Sequence, residues 1–279
     1  MLDSFKNLFD KPKRTSLSTF SSLFFALLGA FFFLFPPQFG FVSAATLKEA
    51  QGLMEQGNNS YADKKYEQAI DAYQKVINLG YESTPLFYNL GNSYYREGKI
   101  GFAILYYEKA LKLSPGNSDV LHNLAIANAK TIDKIDAMPK FFLFQWWESL
   151  LEIFSVTGWS YVVFALYLLL LLSIGIYFFA ATLNIQRYSV YLGLTLAVFL
   201  IMTAAIWIVN LNREWHVKDA VVIDEAVPVK LAPDSTSGDA FVIHEGLKVR
   251  ELDNVGKWVN IRLQDGKEGW ALRDELGAI

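Results

Sequence analysis

The chain has 279 residues, a net charge of −3, a hydrophobic content of 53% and no cysteine. This length allows about two domains, and the slightly acidic balance argues against nucleic acid as a main partner. The apolar content exceeds the average for soluble domains, which indicates that part of the chain lies in lipid. Without cysteine, disulfides and thiol catalysis are both excluded.

The N-terminal segment, 1–44, has the three parts of a secretory signal peptide. A basic stretch from Lys6 to Arg14 precedes an apolar run at 20–35, and small residues follow. This pattern predicts cleavage after Ala44, while the length of the segment leaves an uncleaved anchor open. In both cases we expect the residues that follow to leave the cytoplasm.

Small, amide and aromatic residues recur at a fixed interval in the next segment. Gly57, Asn58, Ala69 and Tyr73 recur 34 residues later as Gly91, Asn92, Ala103 and Tyr107. This period is typical of the tetratricopeptide repeat, a helical hairpin. In it, Gly and Ala allow two helices to cross closely. We predict a repeat domain at 46–136, with full repeats at 50–83 and 84–117 and a closing helix at 118–135 that covers the last apolar face. An unrelated helical bundle is the alternative.

The inner face of such an array comes from the first helix of each hairpin. By resemblance to the tetratricopeptide family, the groove positions are Met54, Asn58, Tyr61, Tyr88, Asn89, Asn92, Tyr95, Arg96, His122 and Ile126. The amides of Asn58 and Asn92 can hold an extended peptide, or they can bond within the array. Family members that clamp a C-terminal carboxylate use Lys, Asn and Arg. Here Met54, Asp119 and Asn123 replace the cations, so a Tyr- and Asn-rich groove for a protein segment is the better prediction.

Residues 141–156 predict an amphipathic helix at the membrane surface. Trp146 and Trp147 suit the aromatic belt of a bilayer, and two Glu residues keep the segment out of the apolar core. A linker helix that packs on the repeats is the alternative.

Two later segments, 159–180 and 189–210, predict membrane spans. No charged residue occurs between Glu152 and Arg187, or between Arg187 and Arg213, and each run is long enough to cross an apolar core of ~30 Å. The short connector predicts a hairpin with a cytoplasmic turn. The repeats and the C-terminal segment are then expected on the same extracytoplasmic side.

The C-terminal segment, 217–276, changes to short alternating strands such as 247–252 and 258–263, separated by turn residues. The stretches "HEGLKVREL", "GKWVNIRL" and "GKEGWAL" resemble bacterial SH3-like domains, which implies a small all-β barrel. Barrels of that family bind peptides, some of them cell-wall peptides. The resemblance suggests a groove that involves Trp258, Arg262 and Trp270; alternatively, both Trp side chains fill the small core.

The sequence gives no sign of an enzyme, a cofactor or a metal site. His122, His216 and His244 lie far apart without metal-ligand spacing. There is no phosphate-binding loop and no nucleophile elbow. The predicted spans lack internal charge, which argues against a transporter.

The order of all these parts resembles the BatE family from the aerotolerance (Bat) operons of Bacteroidota. The most telling stretches are 88–115 and "TIDKI" at 131–135. The resemblance implies partners with von Willebrand A domains, an indirect link to a MoxR-type ATPase, and a role in oxygen or envelope stress. We therefore predict a non-enzymatic scaffold in the bacterial inner membrane, with both folded modules in the periplasm. The alternative is a cell-wall sensor that binds peptidoglycan peptides through the SH3-like domain.

Overall fold

The computed structural model describes residues 44–135 and 141–279. The predicted signal peptide therefore lies outside the described residues, except for Ala44. The described residues form two compact units: 160–205 is one, and the flanking parts of the chain together form the other.

Five helices form the N-terminal part of the larger unit. They are α1 (Ala44–Ala62), α2 (Tyr66–Asn78), α3 (Thr84–Arg96), α4 (Ile100–Leu113) and α5 (Ser118–Lys130). The pairs α1–α2 and α3–α4 are hairpins, and α5 follows them as a single helix. Ala69 and Ala103 have no exposed surface. A Cβ atom on Gly91 would lie only 2.7 Å from the Tyr107 ring. The small residues of the repeat pattern thus lie where helices pack most closely.

The closing helix is shorter than the sequence predicts. We expected it to reach residue 135, but α5 ends at Lys130 and Thr131 is extended, with a ψ of 146°. The Lys134 ammonium donates to the carbonyl oxygens of Asn128 (2.7 Å) and Ala129 (3.3 Å). The last carbonyls of a helix lack the amide donors that a further turn would supply. The Lys134 ammonium takes the place of these missing donors.

Three helices follow: α6 (Phe142–Leu151), α7 (Val156–Phe179) and α8 (Leu183–His216). Both α7 and α8 are long and apolar enough to cross a membrane, by length and composition. In the unit formed by 160–205, the Ser173 hydroxyl donates to the carbonyl oxygen of Ser189 at 2.7 Å. This bond joins the two helices of the predicted hairpin and satisfies a hydroxyl within an apolar setting.

The C-terminal part is a single antiparallel sheet. Its strands are β1 (Lys218–Val222), β2 (Ala226–Lys230), β3 (Asp239–His244), β4 (Lys248–Val255), β5 (Trp258–Arg262), β6 (Glu268–Leu272) and β7 (Leu276–Ala278). Their order is β3-β2-β6-β5-β4-β1-β7. Among the described residues β3 and β7 do not pair with each other, so closure of this sheet into the barrel that we expected is not shown.

The sheet contains a strand that the sequence analysis missed. β2 includes Pro228, and a proline normally counts against a strand because it lacks an N–H donor. The structure tolerates it because β2 pairs along its length only with β3, and meets β6 at the single pair Lys230–Trp270.

The sheet packs directly on helix α4. Val221 belongs to the hydrophobic core of the repeats, while Ile135 packs on the core of the sheet. Gly101, Gly246 and Gly277 lie at the points of closest approach: a Cβ atom on Gly101 would lie 2.7 Å from the Val222 carbonyl oxygen, and one on Gly277 would clash with Leu105. The repeats and the sheet are therefore one packed body rather than two modules on a linker.

Polar contacts reinforce this interface. The Gly101 amide, in the first turn of α4, donates to Glu245 Oε2 at 2.8 Å. The Lys248 ammonium donates to Glu108 Oε2 at 2.8 Å. Since Lys99 supplies no side-chain cap to α4, the carboxylate of Glu245 satisfies one of the donors that every helix N-terminus leaves open.

Nearby carboxylates also affect the pKa of the Lys248 ammonium. Burial works against its charged form, but Glu108 and Asp219 outweigh that effect, and together they raise the pKa of Lys248. Lys248 therefore stays protonated across the physiological range.

Substitution of Gly101 tests the packed interface. Gly101→Ala places a methyl group against the backbone of β1, where overpacking costs about 1–3 kcal/mol, so we expect the Tm of the full chain in detergent to fall by several degrees. The matched control is Gly52→Ala, since Gly52 is also helical and a methyl group added there would meet no atom within 4 Å. That change should raise helix stability by up to about 1 kcal/mol. Equal increases in Tm for both variants would contradict the interface.

Candidate partner-binding groove

The asparagines of the repeat pattern form a ladder inside the array. Asn58 Oδ1 accepts hydrogen bonds from the Tyr73 hydroxyl (2.8 Å) and from Asn89 Nδ2 (3.0 Å). One repeat later, Asn92 Oδ1 accepts from the Tyr107 hydroxyl (2.7 Å) and from Asn123 Nδ2 (2.8 Å). Each rung thus joins both helices of one hairpin to the first helix of the next.

The ladder accounts for the side-chain oxygens of Asn58 and Asn92, though not for their Nδ2 donors. Their side-chain oxygens already accept two hydrogen bonds each within the array, so these oxygens serve the repeats themselves. The tyrosines that donate to them are buried, and burial raises the pKa of Tyr73 to about 12 and raises that of Tyr107 as well. Both hydroxyls remain protonated donors at physiological pH.

Beside this ladder the first helices enclose a pocket of ≈ 330 Å³. Its lining residues are Tyr61, Tyr88, Asn92, Tyr95, Arg96, Tyr107, Asn123 and Ile126. Three of the tyrosines, Tyr61, Tyr88 and Tyr95, are half-buried and present ring surface to the pocket. The pocket therefore offers aromatic area together with hydroxyl and cationic groups.

One cation, Arg96, lines this pocket, and a second, Lys130, contacts one of its tyrosines. Arg96 is exposed, and a hydrogen bond with Tyr61 raises the pKa of its guanidinium. The Lys130 ammonium lies 4.2 Å from the centroid of the Tyr95 ring, within the range of a cation–π contact. No carboxylate of the described residues forms an ion pair with either cation, so their charge is available to a ligand.

The structure brings together part of the predicted groove. Tyr61, Tyr88, Asn92, Tyr95, Arg96 and Ile126 line the pocket. Met54 instead packs against the core of the repeats. Asn58 and Asn89 bond to each other along the ladder. His122 is exposed on α5 and does not line the pocket.

Two residues at this site were missed by sequence reasoning as groove residues. Asn123 appeared only as a replacement for a clamp cation, yet it bridges Asn92 and the Tyr88 hydroxyl, the latter at 3.0 Å. The signal was present, because Asn123 follows Asn89 by the repeat period of 34. Lys130 follows Arg96 by the same period, so the repeat also pointed to a second cation here, while its contact with Tyr95 depends on where α5 ends.

The predicted residues of the C-terminal groove lie on one face of the sheet. Trp258, Arg262 and Trp270 alternate with core residues such as Val259 and Ala271, so they share the face opposite the core. Trp258 is only 8% exposed, which leaves little of its ring for a ligand. Trp270 is half-buried, and Arg262 is exposed and paired with Glu268 at 2.6 Å.

Comparison with known proteins identifies the repeat. The sequence model of the tetratricopeptide repeat matches residues 85–117, which span α3, α4 and the turn after them. The chain therefore contains a tetratricopeptide repeat, a non-catalytic module that mediates protein–protein interaction.

Two curated relatives match parts of the chain. Protein bimA of Emericella nidulans is 35% identical over 69 residues, which covers 25% of this chain and 9% of that protein. Serine/threonine-protein phosphatase T of Aspergillus oryzae is 29% identical over 101 residues, 36% of this chain and 21% of that protein. The chain thus spans only a small part of the length of either relative.

The ladder predicts a specific pattern of stability changes. Asn92→Ala removes the acceptor of the buried Tyr107 hydroxyl, and an unsatisfied buried group costs about 1–3 kcal/mol. We expect thermal unfolding at lower temperature, with partial recovery when Tyr107→Phe is added, because no buried hydroxyl then remains. Asn59→Ala, an exposed position on α1, is the control and should change stability by less than about 0.5 kcal/mol. Similar losses at Asn92 and Asn59 would contradict the ladder.

Proposed function

We propose that this protein is a membrane-anchored adaptor whose repeats bind an extended segment of a partner protein that carries a carboxylate. The observation behind this proposal is the pocket in which three half-buried tyrosines lie beside Arg96 and Lys130 without an acidic partner among the described residues. Tyrosine and arginine are the residue types most often found as binding hot spots. A carboxylate on the partner would neutralise charge that the described residues leave open.

The ladder limits how the partner is held. Because the oxygens of Asn58 and Asn92 are used inside the array, recognition falls to ring surfaces, to the hydroxyls of Tyr61 and Tyr95, to the Nδ2 group of Asn92, and to the two cations. This differs from a clamp built on asparagine amides, and it explains why the missing clamp cations at Met54 and Asp119 do not remove the site.

The packed sheet supports the same assignment. It covers α4, the second helix of its hairpin, while the pocket is lined mainly by the first helices α1, α3 and α5. The surface available to a partner is therefore the one with the tyrosines and cations. The apolar outer surface of α4 is already covered by the sheet of the same chain.

The membrane setting is a further part of the proposal. The resemblance to the BatE family and the charge-free runs in α7 and α8 support an inner-membrane hairpin, with the repeats and the SH3-like domain in the periplasm. Partners with von Willebrand A domains, linked to a MoxR-type ATPase, fit this setting. Single cysteines at Gly116 and Ser235, introduced into the cysteine-free chain, should react with an impermeant maleimide from the periplasmic side, whereas one at Gln186 should not. Labelling of Gln186→Cys alone would reverse the topology.

A second candidate function is a cell-wall sensor. Trp270 and Arg262 share a face of the sheet, and on the same face the Asn260 Oδ1 atom is buried without a partner among the described residues. A peptide amide would satisfy that oxygen if the side chains that cover it move aside. Titration of the full chain with muropeptides distinguishes the two candidates: binding that Trp270→Ala weakens and Tyr95→Ala leaves unchanged would favour the sensor.

Substitution of Tyr95 and Arg96 tests the adaptor. The double change Tyr95→Ala, Arg96→Ala removes two hot-spot side chains, each worth about 2 kcal/mol or more, so co-purification of the partner with the full chain from native membranes should be lost. The Tm should fall only modestly, because Tyr95 packs against the core of the repeats but is half-buried, and Arg96 is exposed.

The matched control is Lys75→Ala with Leu113→Ala, which removes an exposed cation and an exposed apolar residue from the second helices. This control should retain the partner. Arg96→Lys should retain part of the binding, and higher ionic strength should weaken it further, since exposed charges are screened. Full recovery of every partner by the Tyr95/Arg96 variant would place the binding site elsewhere.

A further inference from the structure

Helix α6 presents an apolar face that the described residues do not cover. Phe142 and Trp146 are each 65% exposed, and Leu143, Phe144 and Trp147 are exposed as well. The one buried residue of the helix is Leu151, at its C-terminal end. An exposed cluster of large apolar side chains normally marks an interaction surface.

The helix is amphipathic by position. At roughly 100° per residue, Gln145, Glu148 and Ser149 fall on one side, together with Glu152 just beyond the helix. Phe142, Leu143, Trp146, Trp147 and Leu150 fall on the other side. The alternative that α6 packs on the repeats through this face is not what the structure shows, because the aromatic side chains remain exposed.

The chain itself ties α6 to the start of α7. Only residues 152–155 separate the two helices, and a chain of that length spans at most roughly 18 Å. The Trp159 indole also donates to the Leu151 carbonyl oxygen at 3.2 Å, which fixes the end of α6 beside the first turn of α7. If α7 crosses the membrane, the surface of the bilayer is always within reach of α6.

The charges of this segment indicate how it meets that surface. Residues 141–155 contain no Lys or Arg and two Glu. The nearest cation in sequence is Lys140, just before this segment, so α6 itself offers no attraction to anionic headgroups and its attachment depends mainly on apolar burial. Trp residues favour the headgroup region of a bilayer, where one edge of the ring is wet and the rest is apolar.

We propose that α6 lies along the surface of the bilayer that α7 enters, with the Phe142–Trp146 face inserted at the boundary of headgroups and acyl chains and the Gln145–Glu148–Ser149 face in water. This inference rests on the membrane-anchoring part of the proposed function. Amphipathic helices of this kind lie about 5–10 Å into the boundary region. Because α6 itself carries no cation, we expect a similar depth in zwitterionic and anionic bilayers and only a small dependence on salt.

The cysteine-free chain allows a direct test. The full chain is reconstituted in phosphatidylcholine vesicles, and in vesicles with added phosphatidylglycerol, with one nitroxide spin label in each sample. Trp146→Cys and Leu143→Cys report on the apolar face, and Ser149→Cys reports on the polar face. Leu168→Cys within α7 is the lipid control, and Leu231→Cys, exposed on the sheet, is the water control. Collision with oxygen and with a nickel chelate is measured at each position.

We expect the ratio of oxygen to nickel collisions to be several-fold higher at positions 143 and 146 than at 149 and 231, in both lipid mixtures and at high salt. Nickel access at 143 and 146 equal to that at 231 would show a helix in water and overturn the inference. Protection from both reagents, or spin–spin broadening at 146, would overturn it in favour of a protein partner or a second copy. A water-like result at 168 would mean that the membrane anchor itself has failed, which separates that failure from failure of the α6 inference.

Discussion

The burial of helix α4 on two sides is the constraint on which the rest of the larger unit depends. On one side Ala103 and Tyr107 pack against the first helices of the repeats, and on the other Gly101, Ile104 and Leu105 meet the sheet. A helix that is apolar nearly all round must be covered all round. Because the sheet covers the outer side of α4, the inner face of the array stays uncovered by the described residues. The sheet also gives this short stack of hairpins the packing neighbour that further repeats supply in a longer array.

The same packing connects the sheet to the wall of the pocket. Helix α5 contributes Asn123 and Ile126 to the pocket and ends with Lys130 over the Tyr95 ring. Just after α5, the Asp133 carboxylate contacts strand β3: it accepts from the His244 backbone amide at 2.7 Å and lies 3.0 Å from His244 Nδ1. Pocket, closing helix and sheet are thus held by contacts that follow one another along the chain.

Part of this arrangement follows from sequence and part does not. The tetratricopeptide repeat and the apolar helices follow from period and composition, because local patterns set local structure. The residues of the ladder also follow the period, since Asn58, Tyr73 and Asn89 recur 34 residues later. However, the sequence does not show whether an asparagine amide bonds to a neighbouring side chain or to a ligand. The docking of the sheet on α4 could have been suspected from "IGFAILYY", where apolar residues leave no polar face. Its contacts, such as Gly101 with Val222, join positions far apart in the chain, and no local pattern encodes them.

The central claim is that partners bind on the inner face formed by the first helices. Photocrosslinking in native membranes tests it directly, with benzoyl-phenylalanine introduced at Ile126, which lines the pocket, or at Leu121, which is exposed on the same helix but does not line it. The account predicts a discrete crosslinked partner from position 126 that disappears in the Tyr95→Ala, Arg96→Ala background, and none from position 121. Equal crosslinking from both positions, or crosslinking from 121 alone, would contradict it.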